Sequence, residues 1–367
     1  MTMPLRLAAA DPGGANVVAA FLHAAPDVEA AAEPVWTVPV STSRFEALGL
    51  QTRSFDPESI TAEVTGAWRA SPRPWALVTG TSMGARLETK LWELSAADGV
   101  PALAWLDQWT NLGVRFQYGR PDWVGAIDEA QREELIAMGF PRDQVLVVGQ
   151  PYLFPLSANR RMEIEVNHRP GDWFKLLYVS EPFSRDYRCG LQESIGFDEF
   201  DVFDVVYRGA LHAIEHDPTL SVELAIKLHP YEQTESYERI LRTLEPPPRL
   251  TLRVIGGDRS GQDAAAGADM VVGVSSVLLL EAMLFDRPVL SLRPGLLGED
   301  PFAPSRRGAC LHSDDFEDAY MLVTRALSDS ALRKHAIGLQ RIFLDQVPFD
   351  GADRVTAWLE ERSERKS

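Results

Sequence analysis

The alternation of short apolar runs with amphipathic stretches constrains this chain more than any other feature, and it holds for the first 150 residues. The runs Leu5–Ala9, Val35–Val38, Trp75–Val78, Ala102–Trp105, Trp123–Ile127 and Val145–Val148 read as strands. They are apolar almost throughout, which fits burial on both faces of a sheet. Helical stretches lie between them, clearest in GARLETKLWELSAA from Gly84 and DEAQREELIAMG from Asp128. Strands taken in turn with helices predict a parallel, doubly wound sheet.

The pattern stops after Gly149. QPYLFPLSANRRMEIEVNHRPGD holds three prolines and two basic clusters before another strand begins, which predicts a linker over 151–172. A second alternating set follows, with FKLLYVS, VELAIKL, LTLRVIG, DMVVGV and PVLSL as strands. Helices are expected near 199–215, 233–244, 276–285 and 314–327, then over about 329–343 and 351–362. No unit of about 20–50 residues repeats, which excludes a solenoid. The expected architecture is α/β: two Rossmann-like domains of doubly wound parallel sheet, 1–150 and 173–345, facing across a cleft. The tail over 346–367 carries a helix free to pack back on the first domain. A chain of 367 residues has room for two domains of roughly 150.

Charge narrows the partners. Acidic residues number 53 against 36 basic, a net charge of −17, so nucleic-acid backbones and anionic membrane surfaces repel the chain. Any phosphate-bearing ligand must meet local positive potential, from helix N-termini and a few basic side chains. Cys189 and Cys310 make no disulfide framework and no zinc pattern. The opening apolar run LRLAAA is too short for a signal sequence or a membrane span, so a cytoplasmic protein is expected.

Ligands on open parallel sheets bind beyond the C-terminal strand ends, so the loops there carry the candidates. DPGGAN, Asp11 to Asn16, follows the first strand. Gly13 and Gly14 let the backbone turn tightly and approach a ligand, with Asn16 beside them. Asp11 is placed either to act as a general base or to cap the next helix. KLHP, Lys227 to Pro230, ends a strand of the second domain; Lys227 and His229 can donate to a phosphate, and Pro230 fixes the chain beyond them. In GADMVVGVSSVLLLEAMLFDRPVLSL a buried strand runs into Ser275 and Ser276, which open an apolar helix. Two hydroxyls there can cap the helix and bind an anion at its positive end. Glu281 falls among apolar neighbours in that helix, where a carboxylate needs a partner such as a ribose hydroxyl or a basic side chain.

KLHP and the Ser-Ser-plus-Glu unit, in this order and about forty-five residues apart, resemble the HP and SS motifs of GT-B glycosyltransferases. The pattern is similar to that of bacterial sialyl- and polysialyltransferases, capsular Kdo transferases and CDP-glycerol glycerophosphotransferases. The resemblance implies that His229, Ser275 and Ser276 bind the donor's phosphates. The unit ADMVVGVSS…EAMLFDRPVLSL also resembles UDP-N-acetylglucosamine 2-epimerases. Their N-terminal arginine signature is absent, which counts against epimerisation; the acidic motif that supplies the sialyltransferases' base is missing too. YVSEPFSRDYR resembles the capsule-type loop along the nucleotide, and puts Ser180 and Glu181 there.

Two strand-end loops of the first domain stand out further, TGTSMGAR and WLDQWTNLGVRF. The second gathers Asp107, Gln108, Trp109, Asn111 and Arg115; a ring beside carboxylate and amide groups suits a sugar, and equally suits a core tryptophan with a structural Asp–Arg pair. Asp107 is the second candidate base. The expectation is then a glycosyltransferase acting in surface-polysaccharide or glycoconjugate synthesis, with a CMP-, CDP-, UDP- or dTDP-linked donor. It needs no cofactor and no metal, and leaves room for a homodimer. Its alternatives are a nucleotide-sugar hydrolase or epimerase, and a non-catalytic nucleotide-sugar-binding protein.

Overall fold

A computed structural model describes residues 4–31, 33–84, 86–153, 172–190, 193–256 and 260–364. Most of the linker expected over 151–172 lies outside the described residues. The chain divides into two compact units, Met1–Pro155 with Gln346–Ser367, and Leu156–Asp345.

The first unit is built on seven strands: β1 (Leu5–Ala9), β2 (Val35–Thr37), β3 (Thr52–Ser54), β4 (Ala76–Thr79), β5 (Ala102–Trp105), β6 (Trp123–Ala126) and β7 (Val145–Val147). They pair in parallel in the order β3-β2-β1-β4-β5-β6-β7. The central strands are buried along their whole length, as their apolar runs require. The polar strand β3 pairs only at the sheet's edge and has no apolar run to announce it. Trp105 and Phe21 pack at 5.6 Å inside this sheet, and Ala352, Val355, Trp358 and Leu359 of the last helix, Gly351–Glu364, close the same core.

The second unit has β8 (Trp173–Val179), β9 (Ser221–Lys227), β10 (Leu250–Ile255), β11 (Met270–Gly273), β12 (Val289–Leu292) and β13 (Leu311–Ser313). All six are parallel, in the order β10-β9-β8-β11-β12-β13. Its helices Glu199–His216 and Phe316–Ser328 pack their apolar faces on one side of the sheet. The first of these opens with a capping box between Asp198 and Asp201.

In each sheet the order reverses about the first strand of its unit: β1 lies between β2 and β4, and β8 between β9 and β11. The loops after β1 and β4, and after β8 and β11, therefore lead to opposite faces of their sheet, and such a switch point is where open parallel sheets form a crevice. In the first unit Gly14 and Gly80 let the two loops touch; a Cβ on Gly80 would lie 2.5 Å from the Gly14 Cα. Gly80→Ala is expected to cost about 1–3 kcal/mol for that overlap. Gly66 sits exposed inside the Ile60–Ala70 helix with open space around it, so Gly66→Ala is expected to add about 0.5–1 kcal/mol. Urea midpoints of the two variants moving in opposite directions check both.

Candidate functional site

At the first crevice Asp11 caps the Pro12–Ala24 helix, its Oδ1 accepting from the Gly14 amide at 2.9 Å. Its Oδ2 reaches across to accept the Met83 amide at 3.3 Å, so one carboxylate bridges the loops after β1 and β4. Glu88, from the Leu87–Asp98 helix, fixes the same backbone from below. Its Oε1 accepts the Ala10 amide at 2.7 Å and the Ser82 hydroxyl at 2.6 Å, and Ser82 Oγ accepts the Asp11 amide at 3.1 Å.

Asp107 enters from the end of β5. Its Oδ2 stands where a Gly13 Cβ would be, 1.9 Å from that position, so glycine there makes room for the carboxyl. Its Oδ1 accepts from Arg115 Nη1 at 2.6 Å, and the same nitrogen donates to Thr81 Oγ1 at 2.7 Å. Both members of this ion pair are buried. Burial pushes the Asp107 carboxyl up to about 6; Arg115 opposes this and Asp11 adds to it. Gln150 holds the Asp107 carbonyl at 2.7 Å. Asp11, Gly13, Gly14, Asp107 and Arg115 thus form one cluster.

The remaining residues of the expected sugar site are placed differently. Trp109 is 2% exposed and its ring N–H donates to Asp128, so it is a core ring with no face for a ligand; the expectation that it packs on a sugar is corrected. The Gln108 carbonyl accepts from Gln131 at 2.8 Å. Asn111 is exposed at φ 60°, a left-handed turn that asparagine tolerates. Asn16 lies one turn along its helix and accepts from Arg44 at 3.2 Å.

At the second crevice the anion seat is already filled. Glu181, after β8, accepts the amides of Ser275 and Ser276 through Oε2 at 2.8 and 3.1 Å, and the Ser275 hydroxyl through Oε1 at 2.9 Å. These are the donors at the start of the Val277–Leu284 helix, where the dipole favours negative charge. Burial nevertheless raises the proton affinity of Glu181, against the pull of its donors. Ser276 caps the helix, its Oγ accepting from the Leu278 amide at 3.3 Å.

His229 is half-buried after β9, its Nδ1 accepting the Tyr231 amide at 3.3 Å, which leaves the Nε2–H of the neutral ring as a donor. Burial pushes this imidazole below its ordinary value; Asp186 opposes this, and Arg185 and Lys227 reinforce it. Pro230 is exposed beside it. Lys227 turns inward instead, donating to the carbonyls of Leu228 and Gly256 at 3.0 and 2.9 Å, which ties β9 to the end of β10. Its expected phosphate role gives way to a backbone one. Ser180 is likewise engaged, donating to Glu232 at 2.6 Å and meeting the Tyr237 hydroxyl at 2.7 Å. Burial pushes Glu232 up to about 7. Glu281 is 4% exposed, with Gln262 donating to it at 3.4 Å. No group of three or more His, Cys, Asp and Glu side chains that could hold a metal ion occurs among the described residues. No described helix is long and apolar enough to cross a membrane.

Glu88 and Glu232 escaped the sequence reading. Glu88 could have been found: it falls in register with Leu91, Trp92 and Ser95 on the buried face of its helix, where a carboxylate is out of place.

No family model matches the chain, and no curated protein does. Solved structures share its fold over their whole length. A UDP-N-acetylglucosamine 2-epimerase superposes with a TM-score of 0.68 at 12% identity, over 100% of this chain and 97% of its own. A structure described as a putative UDP-N-acetylglucosamine 2-epimerase from Listeria monocytogenes gives 0.66 at 13% identity, covering 100% and 98%. The UDP-GlcNAc 2-epimerase of Neisseria meningitidis, bound to UDP-GlcNAc, gives 0.66 at 11% identity, covering 98% and 100%. The fold is therefore the GT-B-like pair of parallel-sheet α/β domains of these proteins.

The expectation of a glycosyltransferase is corrected by this finding. The full-length fold matches favour the epimerase branch of the alternatives, and the motif unit that suggested transfer resembles the epimerases as well.

The Asp107–Arg115 pair makes a sharp prediction. Arg115→Met leaves a buried carboxyl without its cation, and stability should fall by about 3–5 kcal/mol. The loss raises the folded-state proton affinity of Asp107, so the deficit should shrink towards pH 4 and widen as pH rises. Denaturant titrations at several pH values check the sign.

Proposed function

We propose that this chain is a nucleotide-sugar-processing enzyme of the epimerase or hydrolase kind, in which the sugar itself or water takes the place of a separate acceptor. The state of Asp107 carries this reading. Its carboxyl is buried, seated over the Gly13 backbone, and has one oxygen tied to Arg115 while its proton affinity is raised to about 6. Such a group exchanges a proton near neutral pH, as acid–base chemistry on a sugar requires. Arg115 aims the carboxyl and steadies its charged form; Asp11, whose oxygens already cap a helix and bridge two loops, is the less available of the two acids.

The second unit reads the nucleotide. His229 offers an Nε2–H donor to a phosphate, and a ribose hydroxyl is the ligand group proposed for Glu281. The amides of Ser275 and Ser276 serve the same ligand only in competition with Glu181. The solved neighbours include structures in complex with UDP and with UDP-GlcNAc, which makes UDP-sugars the first ligands to try.

Asp107→Asn should abolish turnover of UDP-GlcNAc, followed by NMR of the sugar, while UDP still raises the melting temperature as in the wild type. A ligand at a hundredfold its Kd stabilises by about 2.7 kcal/mol, which a thermal-shift assay resolves. Undiminished turnover would sink the role of Asp107. His229→Ala should remove the UDP shift, and Glu181→Gln should tighten UDP by about tenfold, or about 1.4 kcal/mol, because a neutral amide competes less well for the serine amides. Calorimetric titration with UDP decides both.

A further inference from the structure

Glu88 is buried to 1% exposure in the first unit, and the proton exchange assigned to Asp107 makes no use of it. Its Oε1 accepts two hydrogen bonds, from Ala10 and Ser82, while its Oε2 is buried with no hydrogen-bond partner. Burial with no cation beside it favours the neutral acid, whose carbonyl oxygen has two lone pairs for the two donors while its hydroxyl is left without an acceptor. An ionised carboxylate would instead bury a charge with half its acceptor capacity unmet. Among the described residues no cation pairs with Glu88, and the charged group acting on it is Asp11, a like charge.

The bonds lead directly to the cluster around Asp107. The amides held are those of Ala10, by Glu88 itself, and of Asp11, by Ser82, whose own proton goes to Glu88. These two residues join β1 to Gly13, over which the Asp107 carboxyl sits. A change at Glu88 therefore moves the floor on which Asp107 stands, with no direct contact between the two acids.

We infer that Glu88 is a positioning residue, a protonated carboxyl that holds the loop after β1 in place; on ionising, its unpaired buried charge is drawn out towards water and takes the loop with it, against the bonds from Ala10 and Ser82. Its consequence for turnover rests on the nucleotide-sugar reading; its hold on the loop does not. Burial, opposed by Ser82 and the Ala10 amide, raises its proton affinity to about 7. A raised folded-state value means that the stabilisation is complete at low pH and is lost as pH rises through about 7. Asp107, raised to about 6, titrates below it. The two carboxyls predict a bell-shaped rate profile with an acid limb from Asp107 and an alkaline limb from Glu88.

The test is hydrogen–deuterium exchange by mass spectrometry on the peptide spanning residues 5–16 between pH 5 and 9, with protection corrected for intrinsic exchange. Wild-type protection should fall by up to about tenfold per pH unit as pH approaches 7 and level off above it. Glu88→Gln keeps an acceptor oxygen and cannot ionise, so its protection should stay flat. Glu88→Ala should be poorly protected at every pH; if it fails to fold, Glu88→Gln still decides. Flat wild-type protection, or an equal fall in Glu88→Gln, overturns the inference. Turnover of UDP-GlcNAc gives the second arm: kcat above pH 7 should fall in wild type and hold in Glu88→Gln, with KM unchanged. An alkaline limb that persists in Glu88→Gln overturns the coupling to chemistry. If protection responds as expected but no nucleotide sugar turns over, Glu88 keeps its role and the enzymatic reading fails instead.

Discussion

A carboxylate closes the gap at each switch point, and the geometry of both candidate sites depends on it. Parallel strands that part company leave backbone amides and helix starts pointing into a crevice, with no strand to satisfy them. Asp11 takes such amides in the first unit, from Gly14 and Met83. Glu181 takes those of Ser275 and Ser276 in the second. Hydrogen bonds to a charged acceptor are worth about 1.5–3 kcal/mol each, so these contacts hold the loops that any ligand must meet. They also mean that a phosphate arriving at the second crevice finds its donors in use.

The acids around these crevices differ in what surrounds them, and the difference sets their chemistry. Asp107 and Glu88 are both buried, but Asp107 has Arg115 at 2.6 Å and Glu88 has only neutral donors. The cation keeps the ionised form of Asp107 within reach, and its absence keeps Glu88 protonated to higher pH. Glu232 belongs with Glu88, its neighbours being Ser180, the His229 amide and other carboxylates. One side chain type thus supplies a carboxyl paired with a cation and two that stay protonated to about 7, separated by environment alone.

Much of the fold is written in local pattern. Buried parallel strands are largely apolar, so eleven of the thirteen described strands announce themselves as runs, and β3 and β13 do not because they are short, polar and at the edges of their sheets. The candidate site is legible by position only. DPGGAN, KLHP and Ser275-Ser276 stand at strand ends, which periodicity reveals. Their partners come from distant segments, which it does not: Glu181 meets Ser275 across 94 residues, and Glu88 meets Ala10 across 78. Lys227 and Trp109 differ from expectation for the same reason: a lysine that donates to a buried carbonyl and one that donates to a phosphate look alike in sequence, as do a core tryptophan and one that packs on a sugar.

The choice between transfer and epimerisation failed at a further remove. HP and Ser-Ser motifs mark where a fold of this kind can hold a phosphate, and phosphate binding is common to every reaction of a nucleotide sugar. What separates those reactions is the group that moves a proton on the sugar and whether water or another molecule replaces the leaving group. The group proposed for this, Asp107 of the first unit, depends on Gly13 for space, on Arg115 for charge and on the Glu88-held loop for position. None of these dependences is a contiguous motif. A short signature therefore names the ligand well before it names the reaction, because binding a diphosphate needs a few adjacent donors whereas tuning one carboxyl needs four elements brought together.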